Sequence, residues 1–244
     1  MIMNNKIYTY YEDVNFNLQN DLLEIWEKSW RKYGFDTIIL SRKDAQQSVL
    51  YQKYYDFVQR IHEQACGKQL KDKSYWIAAQ LEIVAFHTIV EPSYISDYDM
   101  INNGFHIGEN LESLVHWRND ACSCFASGDK VGWERYINFL FEKELTIIEW
   151  CKKESANTGR SEFGDQDFLI AVRDEGIKNN IYKMYRNLDV AGLGYFINET
   201  NNCTVIHVSH ENVEKIQKTN IEYQEYTEDQ IRLIIANKIL EGCK

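Results

Sequence analysis

Two aspartates separated by one tyrosine are the residues of this sequence best suited to hold a metal ion. Asp97-Tyr98-Asp99 directly follows Ser93 to Ser96, a short segment whose composition predicts a strand. Carboxylates at positions i and i+2 of a strand end project to the same side of the sheet, so both can approach one divalent cation. Such a cation could stabilise the charge that develops on a diphosphate leaving group. The tripeptide also occurs by chance in acidic proteins, so its position carries more weight than its composition.

Two other groups of residues near the C-terminal half could take part in chemistry. Asp165-Gln166-Asp167 opens a predicted helix that runs through Val172. Acidic residues in a first turn are favoured by the helix dipole, and a carboxylate there could equally accept a proton from a hydroxyl. His207 and His210 lie at the end of a late predicted strand. A neutral imidazole beside a carboxylate suits Mn²⁺, although a lone histidine is more commonly a hydrogen-bonded polar group.

The elements that precede the aspartates predict a parallel sheet. Lys6 to Tyr11 is β-branched and aromatic, as expected of a strand, and Asp21 to Tyr33 has the periodicity of an amphipathic helix that ends at Gly34. Phe35 to Leu40 predicts the next strand. This βαβ unit implies parallel pairing with a right-handed crossover. Ligands of open α/β sheets gather at the carboxyl ends of the strands, where the two aspartates are expected.

The rest of the sequence continues to alternate helices and strands. Ser74 is a suitable N-cap for a long buried helix, Pro92 breaks the pattern before the strand that leads to the aspartates, and Thr227 opens a final helix through a capping box. Predicted helices span 45–63, 75–90, 131–152 and 227–240, and predicted strands span 115–117, 121–126 and 203–208. We expect an α/β fold in which a mostly parallel sheet is flanked by helices, with a helical C-terminal end.

The composition restricts the classes of partner. The net charge of −10 disfavours nucleic-acid binding and docking on an anionic membrane, because both need an excess of Lys and Arg. No stretch is long and apolar enough to predict a membrane span, and the N-terminus lacks a secretory signal, so we expect a cytoplasmic protein. The six cysteines are then expected to be free thiols, and Cys122-Ser-Cys124 lacks the paired knuckles of a zinc site. The single proline and the lack of a linker predict one domain over residues 1–244.

Several segments together resemble a known family. Lys6 to Tyr11, Ser29 to Gly34 and Thr37 to Leu40 are similar to the opening of small glycosyltransferases of the GT-A fold, including capsular-polysaccharide-type enzymes. Ile95-Ser-Asp-Tyr-Asp99 resembles their metal-binding DxD motif. The resemblance covers residues 1–130, and the chain lacks the Gly-Gly-x-Tyr-x-Asp signature that many relatives carry at the acidic motif.

The resemblance implies a GT-A-like fold and the transfer of a sugar. The donor would be a nucleotide-diphosphate sugar, with a UDP-sugar favoured and a GDP-sugar possible, and the acceptor would be a hydroxyl of a glycan or glycoconjugate. The cofactor would be Mn²⁺ or Mg²⁺. Residues 1–130 would then bind the nucleotide sugar, and residues 131–244 would form the acceptor side and the C-terminal part.

The resemblance also implies roles for residues that follow the first two strands. Thr9, Tyr10 and Tyr11 would border the base and ribose of the nucleotide. Arg42 and Asp44 could also reach the nucleotide. One of the tyrosines could instead be a core residue.

At the acidic motif, the resemblance assigns Asp99 as the direct metal ligand. Asp97 would lie near the ribose or a metal-bound water, and Tyr98 joins the nucleotide-binding set. GT-A enzymes often complete the metal site with a late histidine, for which His207 is favoured over His210.

On the acceptor side, the resemblance makes Asp165 or Asp167 the candidate base of an inverting reaction. Ser127-Gly128 resembles a segment that contacts the donor sugar. Trp76 and Trp117 could stack on sugar faces, with burial in the core the preferred interpretation for Trp76.

Three alternatives share part of this pattern. A phosphatase of the haloacid dehalogenase type also places an Asp-x-Asp after a strand, but it needs a Gly-Thr pair close to the chain start, and Met100-Ile101 does not fit. A sugar-nucleotide nucleotidyltransferase usually has a Gly-rich basic loop after its first strand, unlike Tyr11 to Asn15. A non-catalytic nucleotide-sugar-binding protein would keep the fold without turnover.

Overall fold

The first strand, β1 (Lys6–Tyr10), pairs in parallel along both of its edges, with β2 (Asp36–Leu40) on one side and β3 (Ser93–Ser96) on the other. Helix α1 (Gln19–Lys32) connects β1 to β2, and the chain leaves it through Gly34 at a φ of 87°. Glycine suits this position because a left-handed backbone strains residues that carry a Cβ atom. The predicted βαβ unit is confirmed.

The computed structural model describes residues 5–14, 19–106, 111, 114–116, 124–184, 190–192, 204–208, 213, 216–217 and 221–242. The other helices are α2 (Arg42–Ala45), α3 (Tyr51–Cys66), α4 (Tyr75–Phe86), α5 (Lys130–Glu142), α6 (Glu144–Thr158), α7 (Asp165–Lys178) and α8 (Glu228–Glu241), with a 3₁₀ turn at Ile221–Tyr223. The other strands are β4 (Met100–Asn102), β5 (Leu114–His116), β6 (Phe125–Gly128), β7 (Lys183–Met184), β8 (Val190–Gly192) and β9 (Val205–His207).

Six strands of the described ranges form the main sheet, in the order β2-β1-β3-β6-β5-β7. Strand β6 runs antiparallel to its neighbours β3 and β5, and the other pairings are parallel. A smaller sheet has the order β4-β9-β8. Buried side chains cover the main sheet from both sides, with α3 to α7 contributing to one cluster and α1 and α8 to the other. The expected mostly parallel α/β fold with a helical C-terminal end is confirmed.

Two tryptophans of α1 hold the segment that connects the two sheets. The Trp26 indole nitrogen donates to Ser96 Oγ at 2.8 Å, and that of Trp30 donates to the carbonyl of Met100 at 2.9 Å. Both rings are completely buried. These bonds therefore fix the chain immediately before and after the acidic tripeptide.

Several predicted boundaries were wrong. The predicted helix 45–63 begins only at Tyr51, as α3, because α2 ends at Ala45, and the predicted helix 75–90 ends at Phe86. The predicted helix 131–152 breaks at Lys143, which has φ −101° and ψ 15°, although no glycine or proline marks this break. Strand β6 runs to Gly128 rather than ending at Ala126, and the predicted strand residues 117, 121–123 and 203 lie outside the described residues.

His116 of β5 predicts a pH dependence of stability. Its side chain is buried against the rings of Trp133, Tyr136 and Tyr182, and neither ring nitrogen has a hydrogen-bond partner among the described residues. Burial lowers the pKa of His116 from 6.5 to about 4. As the pH falls below 6.5, His116 of the unfolded chain takes up a proton, whereas His116 of the folded chain stays neutral. The free energy of unfolding therefore decreases as the pH falls from 6.5 toward 4.

We expect the free energy of unfolding of His116→Phe to depend less on pH than that of the native chain. The difference between the two proteins should change by up to roughly 3 kcal/mol between pH 7 and pH 4, at about 1.4 kcal/mol per pKa unit. Urea unfolding at a series of pH values measures it. Burial also lowers the pKa of His62 and His87. Both histidines are present in the two proteins, so their contributions to the pH dependence cancel in the comparison. Parallel pH profiles would contradict the assignment.

No helix within the described ranges is both long and apolar enough to cross a membrane.

Candidate metal centre and cleft

The acidic tripeptide forms a tight turn at the carboxyl end of β3. The amide of Met100 donates to the carbonyl of Asp97 at 3.1 Å, which closes the turn, and the amide of Asp97 donates to the carbonyl of Cys124 at 2.9 Å. The turn therefore lies at the carboxyl edge of the parallel strands β1 and β3, where ligands of α/β sheets bind.

Strand β9 brings His207 to this turn. Its antiparallel register with β4 places His207 opposite Met100, and the amide of Val208 donates to the carbonyl of Asp99 at 2.9 Å. The His207 Nε2 atom lies 3.3 Å from Asp99 Oδ1. Donor atoms of Asp97, Asp99 and His207 all lie within 4.8 Å of one another.

These three side chains fit a divalent transition metal. Two carboxylates and one imidazole are a donor set that suits Mn²⁺, and each residue is partly rather than fully exposed. The structure thus brings together the three residues of the predicted metal set. His210, the other candidate, lies outside the described residues.

Sequence reasoning did not identify Arg232 at this centre. Its Nη2 donates to Asp99 Oδ2 at 3.0 Å, and its Nε donates to the carbonyl of Val208 at 2.8 Å. Arg232 is buried in α8, between the apolar positions Ile231 and Ile235. The sequence signal that could have identified Arg232 is its position within the apolar face of a predicted helix, because arginine is almost never buried without a partner.

An open cleft adjoins the acidic turn. Five predicted site residues line it, namely Tyr10, Asp97, Tyr98, Asp99 and Asp165. Seven further residues complete the lining: Glu12, Val14, Gln19, Tyr75, Ala78, Ala79 and Glu82. The cleft therefore joins the end of β1, the start of α1, one side of α4, the acidic turn and the start of α7.

Tyr98 lines the cleft and is held by Gln19 and by Tyr11, which does not itself line the cleft. The Tyr98 hydroxyl accepts a hydrogen bond from Gln19 Nε2 at 3.0 Å, and the Tyr98 ring meets the Tyr11 ring edge-on with centroids 5.9 Å apart. Tyr11 itself donates to Asn20 Oδ1 at 2.7 Å. Burial raises the pKa of Tyr98, so its hydroxyl stays protonated and can donate to a ligand.

Arg42 does not line the cleft but lies behind Glu12. Its Nη2 is 2.8 Å from Glu12 Oε1, its Nη1 is 2.7 Å from Asp72 Oδ1, and Glu12 Oε2 accepts the Tyr10 hydroxyl at 2.7 Å. Burial opposes the charge of Arg42, but the hydrogen bonds and charges of Glu12 and Asp72 outweigh it and raise the pKa of Arg42. The arginine therefore orients Glu12 at the cleft wall.

Four other predicted residues do not line the cleft. Thr9 is fully buried in β1, outside the cleft lining, and Asp44 accepts hydrogen bonds from the Ser41 amide and hydroxyl, each at 2.7 Å, as the cap of α2. Ser127 is buried in β6, and Trp76 packs beneath the Arg160 guanidinium, 5.7 Å from the ring centroid. Trp117 and Cys122 lie outside the described residues.

Asp165 and Asp167 have different surroundings. Asp165 lines the cleft, whereas Asp167 accepts both Arg160 nitrogens, at 3.1 and 2.8 Å, and the Gly164 amide at 2.8 Å. Residues two apart in a helix are rotated by about 200°, so their side chains leave in nearly opposite directions. Asp167 thus caps the start of α7, and Asp165 is the aspartate of this pair that lines the cleft together with Asp97 and Asp99.

Tyr75 and Glu82 of α4 are cleft residues that sequence reasoning missed. Loss of water around its hydroxyl raises the pKa of Tyr75, and the neighbouring charges of Asp97, Tyr98, Asp99 and Asp165 raise it further. Both acidic segments therefore act on one phenol. Nothing in the α4 sequence distinguishes Tyr75 from the other residues of this almost wholly apolar helix.

Comparison with solved structures found five chains that match this one. The chain is similar to the crystal structure of the apo-form glycosyltransferase GlyE in Streptococcus pneumoniae TIGR4, with a TM-score of 0.44 and 14% sequence identity. The matched region covers 97% of this chain and 64% of that one, so the chain spans less than two thirds of that protein's length. No protein-family model and no curated protein matches the chain.

Proposed function

We propose that the protein is a metal-dependent glycosyltransferase that moves a sugar from a nucleotide-diphosphate donor to a hydroxyl of a glycan or glycoconjugate. The observation that carries this proposal is the group of two carboxylates and one imidazole, Asp97, Asp99 and His207, whose two aspartates line a cleft together with Asp165. The position of the group at the carboxyl edge of parallel strands supports the same conclusion. The resemblance of the N-terminal segments to GT-A enzymes agrees with it.

In this proposal, Asp97, Asp99 and His207 hold Mn²⁺ or Mg²⁺. When bound, the metal would supply Lewis-acid stabilisation of the diphosphate leaving group. A local cation would also allow an acidic protein to bind a diphosphate.

The chain's own residues would bind and orient the two substrates. Tyr10 and Tyr98 line the cleft beside the aspartates and would contact the nucleotide, with Tyr11 supporting the Tyr98 ring. Asp165 would accept the proton of the acceptor hydroxyl, because its carboxylate lines the same cleft as Asp97 and Asp99 from the start of α7. We place Arg42 behind this contact surface, where it fixes Glu12. One domain would carry both functions, with the donor bound by residues 1–130 and the acceptor approaching from residues 131–244.

Thermal unfolding with Mn²⁺ and nucleotides tests the proposal. UDP or GDP should stabilise the chain in the presence of Mn²⁺ and not in its absence. At a ligand concentration 100 times Kd, one site contributes about 2.7 kcal/mol, which corresponds to a rise in Tm of roughly 5–10 °C for a chain of this size.

An unchanged Tm with both nucleotides in Mn²⁺ would contradict donor binding. Release of the nucleoside diphosphate from a UDP-sugar or GDP-sugar, measured on the same samples, separates an enzyme from a protein that only binds the donor.

A further inference from the structure

Arg232 connects the two segments that carry the metal donors, and it is itself buried beneath them. Its Nε bonds the carbonyl of Val208, the residue that follows His207, and its Nη2 bonds Asp99 Oδ2. Asp99 and Val208 are also joined directly, because the Val208 amide donates to the Asp99 carbonyl. One planar guanidinium and one backbone hydrogen bond therefore close a ring between the end of β9 and the acidic turn.

This ring fixes the orientation of the Asp99 carboxylate relative to the imidazole. With Oδ2 held by Arg232 at 3.0 Å, Oδ1 lies 3.3 Å from His207 Nε2, on the side where the donor atoms converge. Rotation of the carboxylate would break the bond to the guanidinium. The bond to Val208 likewise restrains the backbone beside His207.

We propose that Arg232 is a positioning residue of the metal centre, which holds Asp99 and His207 in the arrangement that binds the cation. This inference rests on the proposed function, since it assumes that the two residues bind a metal. It gives helix α8 a supporting role at the metal centre, although none of the described residues of α8 belongs to the group that could hold the metal.

A different role for Arg232 would change the metal affinity of an Arg232 variant in the opposite direction. If the guanidinium only neutralised Asp99, it would compete with the cation, and its removal would strengthen metal binding. If it positions the donors, its removal weakens binding. Loss of a residue that orients a metal ligand typically reduces metal affinity about 10–100-fold.

The experiment is a titration of Mn²⁺ into the full chain, followed by the electron paramagnetic resonance signal of free Mn²⁺. Arg232→Lys keeps the charge but lacks the planar fork that bonds Asp99 and Val208 together, and we expect roughly 10-fold weaker binding. Arg232→Met keeps the aliphatic stem without the charge, and we expect a loss of roughly 10–100-fold. Circular dichroism establishes that each variant is folded, and if Arg232→Met does not fold, Arg232→Lys decides the question.

The matched control is Arg60→Lys, which changes an arginine that bridges α3 to Glu144 of α6 through contacts of 3.1 and 3.2 Å, outside the cleft lining. Its Mn²⁺ affinity should equal that of the native chain. Native-like or tighter binding by Arg232→Lys or by folded Arg232→Met would overturn the positioning role and leave the metal centre intact. Absence of Mn²⁺ binding by the native chain would instead overturn the metal centre, and the role of Arg232 with it.

Discussion

Asp99→Asn should reduce the affinity of the protein for Mn²⁺ by more than about 100-fold while leaving the chain folded. Loss of a residue that merely orients a ligand costs about 10–100-fold, and Asp99 is proposed to be a ligand itself. The asparagine keeps the size of the side chain and an oxygen that can still accept from Arg232, so the turn between β3 and β4 is retained. Two measurements check this: the affinity for Mn²⁺, and the rise in Tm that UDP or GDP causes in the presence of Mn²⁺. The rise in Tm should disappear when Mn²⁺ binding is lost.

The choice of asparagine rather than alanine follows from Arg232. An alanine at this position would remove the carboxylate that Arg232 hydrogen-bonds and leave only Asp229, 3.8 Å from Nη1, near the buried guanidinium. Breaking a buried pair costs up to about 3–5 kcal/mol. Loss of the metal effect in Asp99→Ala would then be confounded with unfolding. Retention of Mn²⁺ affinity by folded Asp99→Asn would contradict the assignment of Asp99 as a ligand.

Asp165→Asn should abolish most turnover without weakening donor binding. A positioned general base contributes roughly 10²–10⁴-fold to a rate, and asparagine cannot accept the proton of the acceptor hydroxyl. We therefore expect kcat to fall by about that factor, with the metal-dependent thermal shift preserved. Steady-state kinetics with the donor that proves active, together with the thermal shift on the same preparation, measures both quantities.

Asp174→Asn is the matched control, because it makes the same change at a side chain of α7 that is 88% exposed. Its kcat should match that of the native chain. A kcat for Asp165→Asn within about 3-fold of the control would remove Asp165 from the reaction, and a simultaneous loss of the thermal shift would instead point to a role in donor binding.

Local sequence patterns predicted the parts of the fold that depend on near neighbours. The βαβ unit, the Ser74 cap of α4 and the Thr227 capping box of α8 each follow from residues within one element or its first turn, and each is present. The position of Asp97 and Asp99 at a sheet edge followed from the same patterns. The break at Lys143 did not, because no glycine or proline in the sequence opposes the helix there.

The composition of the candidate site was less accessible, since it depends on contacts between distant segments. Asp99 and Arg232 are 133 positions apart, and no periodicity connects them. The sequence alone does not distinguish Asp165 from Asp167. The structure does, because the first turn of α7 directs Asp165 into the cleft and Asp167 toward Arg160. Sequence reasoning could name the chemistry of the site but not the side chains that support it.

The proposed metal donors come from two regions of the chain that are far apart in sequence. More than 100 residues separate Asp99 from His207, and they meet because β9 pairs with β4. A cation shared by both would act as a removable cross-link that closes this long loop, and its binding energy would add to the stability of the folded state, because the unfolded chain has no such site. Metal binding would then raise the free energy of local opening most in β9 and α8. Amide hydrogen exchange in those two elements would therefore slow when the cation binds.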